Sequence, residues 1–197
     1  MKKNIYNLAL ILSILFITGF AHAEMTTSQI AKKYAASVVT IIALDENDQP
    51  LSLGSGFFIN AEGDIATNYH VLEGCTKAII KTTKGGKGNI LEIIKADPKL
   101  DLIVARTSLK NTKAIPLGDS DKLMAGEDIV AIGNPEGLEG TISKGIISGI
   151  RKAEDVKFIQ ITASISPGSS GGPVLNTSGE VIGIATAYLE AGQNLNF

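Results

Sequence analysis

The 197-residue chain is poor in cysteine, histidine and tryptophan, and each shortage excludes a class of protein. The single cysteine, Cys75, cannot form an internal disulfide. Only one histidine lies outside the N-terminal segment, so one cysteine and one histidine are too few to build a Cys/His zinc site. Tryptophan is absent and aromatic residues make up 5% of the chain, which disfavours a stacking platform for single-stranded nucleic acid. The net charge is −2 and no Lys/Arg run exceeds two residues, so nucleic acid is excluded as the main partner.

Long apolar runs are also scarce, and the one that stands out is N-terminal. Lys2 and Lys3 precede an apolar run over residues 8–20, and a small-x-small cleavage pattern follows at 21–23. This arrangement is typical of a secretory signal peptide, and the run is shorter than the roughly 20 residues that span a bilayer. An uncleaved anchor is the alternative. We expect residues 1–23 to be a signal peptide, with no membrane span after its cleavage, and the protein to be exported to the periplasm of a bacterium or secreted.

Glycine is abundant, with 21 residues, and short apolar stretches recur between turn signals. Thr26 and Gln29 form a capping-box pattern that predicts a short helix over residues 26–36. After it, β-branched runs predict two groups of strands that separate near residues 107–114. The predicted strands are 38–44, 57–59, 78–82, 90–94 and 102–105, then 129–132, 141–150, 158–163, 174–175 and 181–187. This pattern indicates an all-β protein of two small lobes.

A Gly- and Ser-rich stretch at residues 167–173 is the most conspicuous local motif. Such a segment exposes backbone N–H groups and tolerates positive φ, as a site for a developing oxyanion requires. A serine within it, such as Ser170, can act as a nucleophile if a base reaches it. A Ser/Gly surface turn without chemistry is the alternative.

Two further residues could complete a nucleophilic site. His70 is the only histidine outside the N-terminal segment, and it follows a strand-like stretch. Asp101 opens an apolar strand and could orient the imidazole. Ordinary structural roles remain the alternative for both. Two other acids, Asp64 after Gly63 and Asp97 before a proline, have the pattern of turn residues.

The order of these residues along the chain separates two architectures. Residues 168–172 match the G-x-S-x-G elbow of α/β-hydrolases, which carry serine, acid and histidine in that order. No aspartate or histidine follows Ser170, so the α/β-hydrolase fold is excluded. The order His70, Asp101, Ser170 is that of the double β-barrel, chymotrypsin-like proteases. It agrees with the two groups of strands.

Several stretches resemble the HtrA/DegP-type family of trypsin-like serine proteases, which are exported quality-control enzymes. They are SVVTI at 37–41, GSGF at 54–57, TNYHV at 67–71, DL at 101–102, LGDSDKL at 117–123, VAIGNP at 130–135, the serine loop, GEVIGI at 179–184 and NLNF at 194–197. The resemblance implies two six-stranded antiparallel β-barrels, chymotrypsin/trypsin-like, in a protease domain over 24–197. Barrel 1 would lie at about 37–107 and barrel 2 at about 114–197.

The resemblance also implies residue roles. Ser170 would be the nucleophile, His70 the general base and then acid, and Asp101 the orienting carboxylate. Residues 168–170 would form the oxyanion hole, with backbone N–H groups of Gly168 and Ser170 on either side of Ser169. The reaction would be peptide-bond hydrolysis through an acyl-enzyme, with no metal or organic cofactor.

The expected substrate pocket has Ser164 at its base and Ile165 and the strand at 183–188, including Ile184, Ala185 and Thr186, as walls. Because Ser164 is not acidic, we expect a small aliphatic residue before the cut rather than Lys or Arg. The expected substrates are unfolded or damaged exported polypeptides. Members of the family commonly form trimers, so a homotrimer is a further expectation.

The chain departs from the family pattern at its C-terminal end. Family members typically continue into PDZ domains, whereas this sequence stops at Phe197, within what resembles the last strand of barrel 2. We expect that strand to be truncated. A second function therefore stays open: a catalytically weak polypeptide-binding or regulatory module whose oxyanion loop is unformed.

Overall fold

The computed structural model describes residues 24–134, 140–153 and 156–186. Two predicted features lie outside these ranges, namely the signal peptide at 1–23 and the truncated last strand at 194–197. No helix in the described ranges is long and apolar enough to cross a membrane.

The described residues form two short helices and eleven strands. The helices are α1 (Thr27–Tyr34) and α2 (Tyr69–Leu72), and 3₁₀ turns lie at Ala35–Ser37 and Ser120–Lys122. The first six strands are β1 (Val38–Leu44), β2 (Pro50–Phe58), β3 (Asp64–Thr67), β4 (Lys77–Thr82), β5 (Lys87–Asp97) and β6 (Leu102–Thr107). The other five are β7 (Asp128–Gly133), β8 (Thr141–Ala153), β9 (Val156–Ile161), β10 (Pro173–Leu175) and β11 (Val181–Ile184).

Helix α1 begins as the sequence predicts. The Thr26 side chain accepts from the backbone of Gln29, and the Gln29 side chain accepts from the backbone of Thr26, which confirms the capping box. Ile30 and Tyr34 lie one turn apart and are both buried, so one face of the helix packs against the barrels. The helix ends at Tyr34, two residues before the predicted end, and a 3₁₀ turn leads into β1.

Strands β1 to β6 close into a barrel in the order β1-β2-β3-β6-β5-β4. Strand β1 pairs with β2 along one edge and with β4 along the other, and all neighbouring pairs are antiparallel. A closed six-stranded barrel was expected here, and it is confirmed.

Strands β7 to β11 form a second, curled sheet in the order β11-β10-β7-β8-β9. It holds five strands within the described residues, where six were expected, and the position predicted for the last strand is outside those residues. The chain is therefore mostly β, with one closed barrel and one half-barrel.

Three apolar clusters explain why strands β1 and β7 are apolar on both faces. One fills barrel 1 and includes Val39 and Ile41. Another fills the second sheet and includes Ile129. The third lies between the barrels and beneath α1, and it takes Val38 from β1 and Ile132 from β7. Since β1 and β7 are each buried on two sides, they lack the alternating pattern of a half-exposed strand.

Two local predictions are wrong in detail. Strand β2 begins at Pro50 rather than at residue 57, because it continues through the Gly-rich segment 54–56. Asp64 was expected in a turn, but it is the first residue of β3 and lies opposite Arg106 of β6. The turn is one residue earlier, at Gly63, whose φ is +89°.

Candidate active site

His70 lies on α2, a single helical turn that directly follows β3. Its ring Nδ1 is 2.8 Å from Oδ2 of Asp101. Its backbone N–H donates to the other carboxylate oxygen, Oδ1, at 2.9 Å. Both oxygens of Asp101 therefore bind the same residue, which fixes the imidazole relative to the carboxylate.

Asp101 occupies an unusual backbone position between a turn and β6. Its φ is +51°, in the left-handed region that residues other than glycine adopt infrequently, Asn and Asp more often than the rest. Its N–H donates to the carbonyl of Pro98 at 3.3 Å, and its own carbonyl accepts from the N–H of Tyr69 at 3.1 Å and from Nδ2 of Asn68 at 3.0 Å. Such strain persists only where the surroundings hold it, and it is common at functional sites.

The loop before Ser170 forms a defined turn. The N–H of Ser169 donates to the carbonyl of Ser166 at 2.9 Å, with Pro167 and Gly168 as the central residues. Gly168 has φ +89°, and Pro followed by a positive-φ Gly is the signature of a type II turn. Gly168 is buried, and no hydrogen bond from its N–H to another described residue is present. An N–H without a protein partner, in a loop that is already ordered, is what an oxyanion hole requires.

Barrel 1 holds this loop through Ser55, a fully buried residue of β2. Ser55 Oγ donates to the carbonyl of Gly168 at 2.7 Å and accepts from the N–H of Asn134 at 2.9 Å. The N–H of Ser55 donates to the carbonyl of Ser170 at 2.7 Å. Thr67 Oγ1 donates to the carbonyl of Ser55 at 2.7 Å. One serine thus links the serine loop to the strands of the other barrel.

The absence of a side chain at Gly54 lets the serine loop approach the helix that carries His70. A Cβ at this position would lie 2.6 Å from both methyl groups of Val71 and 3.2 Å from the carbonyl oxygen of Ser170. Val71 is the neighbour of His70 on α2. The backbone of Ser170 and the helix of His70 therefore both pack against Gly54.

A cleft of about 770 Å³ runs between the two barrels beside His70 and Asp101. Its lining is largely apolar on the barrel 2 side, where β9 and β11 contribute Phe158, Ile159, Ile161 and Ile184. Among the described residues no group of three or more His, Cys, Asp and Glu side chains could hold a metal ion.

The five residues predicted for the substrate pocket lie in different environments. Ile184 and Thr186 line the cleft. Ala185 is buried, Ile165 packs against the core of barrel 2, and Ser164 is exposed. Their roles in substrate selection remain a prediction.

The single cysteine, Cys75, lies close to His70 in the sequence but has no features of a nucleophile. Cys75 packs against the core of barrel 1, and burial raises the pKa of its thiol. A raised pKa lowers the thiolate fraction, and the thiolate is the reactive form.

Two residues of this site were not recognised from sequence, although both lie in stretches that carry the family resemblance. Ser55 contacts a loop 113 residues away, and Asn68 contacts Thr186, which is 118 residues away. No local pattern marks partners at such separations.

The sequence model of the trypsin-like peptidase domain family matches residues 54–184, about two thirds of the chain. The chain belongs to this family. The expected HtrA/DegP-type resemblance is also confirmed. A DegP-like periplasmic serine endoprotease of Halomonas elongata is 40% identical over 146 residues, covering 72% of this chain and 31% of that protein. The serine protease HhoB of Synechocystis sp. is 40% identical over 152 residues, covering 73% of this chain and 36% of that protein.

Solved structures show the same relationship in three dimensions. The HtrA-type protease AlgW with a tripeptide superimposes with a TM-score of 0.78 at 32% identity, covering 87% of this chain and 58% of the other. The serine endoprotease from Yersinia pestis gives a TM-score of 0.74 at 30% identity, covering 87% and 61%. The chain spans about a third of the length of the curated relatives it matches.

Proposed function

We propose that this chain is a serine endopeptidase with Ser170 as nucleophile, His70 as general base and Asp101 as the orienting carboxylate. The observation that carries the proposal is the double hydrogen bond of His70 to Asp101, beside a glycine, Gly54, against which the serine loop also packs. Membership of the trypsin-like family supports the same assignment.

In the proposed mechanism each group has a defined task. When Asp101 Oδ2 accepts the proton on Nδ1, the lone pair of His70 is placed on Nε2. Nε2 takes the proton of Ser170 as Oγ bonds to the substrate carbonyl carbon, and the imidazolium then protonates the leaving amine. The resulting acyl-enzyme is hydrolysed by water, with His70 acting first as base and then as acid.

The serine loop would stabilise the oxyanion of each tetrahedral intermediate. The N–H groups of Gly168 and Ser170 are the proposed donors, with Ser169 between them. The type II turn and the bonds from Ser55 hold this loop in place before any substrate arrives. Preorganised donors of this kind typically lower the barrier by about 3–4 kcal/mol each.

The substrates we propose are unfolded or damaged polypeptides in the periplasm, cut after a small aliphatic residue. The apolar lining of the cleft supports the side-chain preference. The names of the DegP-like relatives support a periplasmic location. A homotrimer is proposed on family resemblance alone.

The test is hydrolysis of a chemically unfolded protein and of the same protein in its native state, with Ser170→Ala as the control. Mass spectrometry of the fragments should show cuts after Val, Ala or Ile in the unfolded form only, and none with the control. Cuts confined to Lys and Arg would contradict the pocket assignment, and Ser164→Asp should introduce such cuts if Ser164 forms the base.

The alternative function, a polypeptide-binding or regulatory module, requires an unformed oxyanion loop. The turn at residues 166–169 and the bonds from Ser55 favour a formed loop, so the enzyme is the better-supported function. Binding of unfolded protein without hydrolysis would favour the module.

A further inference from the structure

Asn68 joins the two barrels beside the proposed catalytic pair. It is the residue before α2, it lines the cleft, and it is 2% exposed. Its Nδ2 donates one hydrogen to the carbonyl of Asp101 at 3.0 Å and one to Oγ1 of Thr186 at 3.0 Å. Asp101 belongs to barrel 1, whereas Thr186 follows β11 of barrel 2 on the cleft wall.

The orientation of this amide is fixed by its partners. The carbonyl oxygen of Asp101 can only accept, so the atom facing it must be the nitrogen of Asn68. The other end of the amide, Oδ1, is buried and has no hydrogen-bond partner among the described residues. A buried carbonyl without a partner costs free energy. The sequence therefore retains an amide here for its two donated bonds and not for its oxygen.

The first of these bonds acts on the backbone of Asp101. With the N–H of Tyr69, it holds the carbonyl of a residue at φ +51°, from which the carboxylate reaches His70. The second bond ties the same amide to Thr186. The orientation of the Asp101–His70 pair is thus connected through one side chain to the wall of the cleft that substrate would contact.

We propose that Asn68 is a positioning residue that ties the His70–Asp101 pair to Thr186 across the cleft. The proposal rests on the function proposed above. It adds a role for Thr186, whose Oγ1 serves the catalytic pair through Asn68 in addition to lining the cleft.

The test compares four single variants and one double variant of the full chain. Asn68→Ala removes both donated bonds. Thr186→Val removes only the hydroxyl, and Thr186→Ser keeps it. Asn60→Ala is the matched control, because Asn60 also donates an amide hydrogen bond in barrel 1, to Asp64 at 2.8 Å, but does not line the cleft. The double variant combines Asn68→Ala with Thr186→Val.

Two readouts are needed. The first is the rate of labelling by a fluorophosphonate, which requires the serine, its base and the oxyanion hole together. The second is the downfield proton NMR signal of His70 Nδ1–H, assigned by its loss in His70→Ala. This signal reports the bond to Asp101 whether or not the protein is active.

Asn68→Ala and Thr186→Val should each slow labelling by about tenfold or more, as expected for a displaced catalytic group. Thr186→Ser should label faster than Thr186→Val, and Asn60→Ala should label at the wild-type rate. The double variant should be no slower than Asn68→Ala, because both changes break the same link. The His70 signal should broaden or vanish in Asn68→Ala and persist in Asn60→Ala.

Wild-type labelling and an unchanged His70 signal in folded Asn68→Ala would overturn the proposal, as would multiplicative losses in the double variant. If Asn68→Ala does not fold, the labelling rate of Thr186→Val tests the proposal instead, and a wild-type rate in that variant would overturn it. If the wild type itself is not labelled, the proposed function fails. The His70 signal then tests the positioning role of Asn68 by itself. Loss of the signal in Asn68→Ala would support that role, and persistence of the signal would overturn it.

Discussion

At the scale of single residues, Asp101 shows how a strained backbone can serve a site. It is held at φ +51° by donors to its carbonyl, and both of its carboxylate oxygens bind His70. An amide in place of the carboxylate would present a donor to Nδ1 and would favour the wrong tautomer of the imidazole.

We therefore expect Asp101→Asn to lower the rate of peptide hydrolysis by about 10⁴-fold without unfolding the protein. Asp97→Asn is the matched control, since Asp97 ends β5 and the one hydrogen bond that its carboxylate accepts from a described residue is a local turn bond from the N–H of Leu100. Initial rates on an unfolded substrate, with circular dichroism as the check on folding, measure the effect. Equal rates for the two variants would contradict the role of Asp101.

Gly171 is a position where the backbone packs too closely against its neighbours to admit a side chain. Its φ is +88°, and a Cβ there would overlap the carbonyl of Ser55 and Oγ1 of Thr67. Gly85 has nearly the same φ, +80°, but a Cβ there would meet nothing within 4 Å. Comparing alanine substitutions at Gly171 and Gly85 therefore separates the cost of backbone strain, which both share, from the cost of steric overlap, which only Gly171 has.

Gly171→Ala should lower the free energy of unfolding by about 3 kcal/mol or more, because strain and overlap add. Gly85→Ala should lose only about 1–2 kcal/mol, from strain alone. Urea unfolding of both variants measures the difference. If Gly85→Ala is as damaging as Gly171→Ala, the packing of the serine loop against Ser55 is not what constrains position 171.

At the scale of elements, β3 and β6 are joined by a charged cluster away from the cleft. Asp64 is 7% exposed; its Oδ1 accepts from Arg106 Nε at 3.0 Å and its Oδ2 from Asn60 Nδ2 at 2.8 Å. Burial alone would raise the pKa of Asp64, but the hydrogen bonds from Arg106 and Asn60 outweigh it, and the pKa lies below its ordinary value of 3.8. The ionised carboxylate is thus the form that the fold stabilises.

A lowered pKa in the folded state means that the unfolded chain binds more protons between the folded-state pKa of Asp64 and about pH 3.8. The stabilisation is therefore complete above that pH and is lost as the pH falls through the folded-state pKa. Asn60→Ala should reduce the free energy of unfolding by about 1–2 kcal/mol at pH 7, and by less at pH 2.5. Asn47→Ala, in the exposed turn between β1 and β2, is the control. A deficit that does not shrink in acid would contradict this account.

Elements also show where sequence patterns succeed and fail. Helix α1 and strand β1 were predictable because a capping box and a β-branched run are local signals. Strand β2 was predicted to start seven residues too late because glycine and serine have low strand propensity. Yet a Cβ at Gly56 would lie 2.9 Å from Ile41, so close packing, not propensity, keeps glycine in that strand.

In the candidate site, too, some residues could be predicted from the sequence and the contacts between them could not. His70, Asp101 and Ser170 could be selected because residue scarcity and chain order left few alternatives. The contacts that hold them, from Ser55 to Gly168 and from Asn68 to Thr186, join positions more than 100 residues apart. Such pairings depend on how the two barrels dock, which no local pattern records.

At the scale of the whole molecule, the proposed site draws its residues from both barrels. Barrel 1 supplies His70 and Asp101, barrel 2 supplies the serine loop, and Ser55 binds that loop from barrel 1. Ser55 Oγ serves Gly168 and Asn134 together, so its removal would leave a buried carbonyl and a buried N–H without partners.

Ser55→Ala should therefore destabilise the protein by about 1–3 kcal/mol. It should also slow fluorophosphonate labelling by about 10- to 100-fold, because the proposed oxyanion loop loses its hydrogen bonds to barrel 1. Ser52→Ala is the matched control on the same strand, since Ser52 Oγ donates to the carbonyl of Val71 and makes no hydrogen bond to the serine loop within the part of the chain that the structure describes. Equal labelling rates for the two variants would show that the loop is held without Ser55.

The central claim is that this chain assembles a working nucleophile from both barrels. Fluorophosphonate labelling of the purified protein, beside Ser170→Ala, tests it most directly, because the probe reacts only where serine, base and oxyanion hole are in place together. We expect one covalent label per chain at Ser170 in the wild type and none in the variant. A folded wild-type protein that remains unlabelled, or a Ser170→Ala variant that is labelled equally, would contradict it.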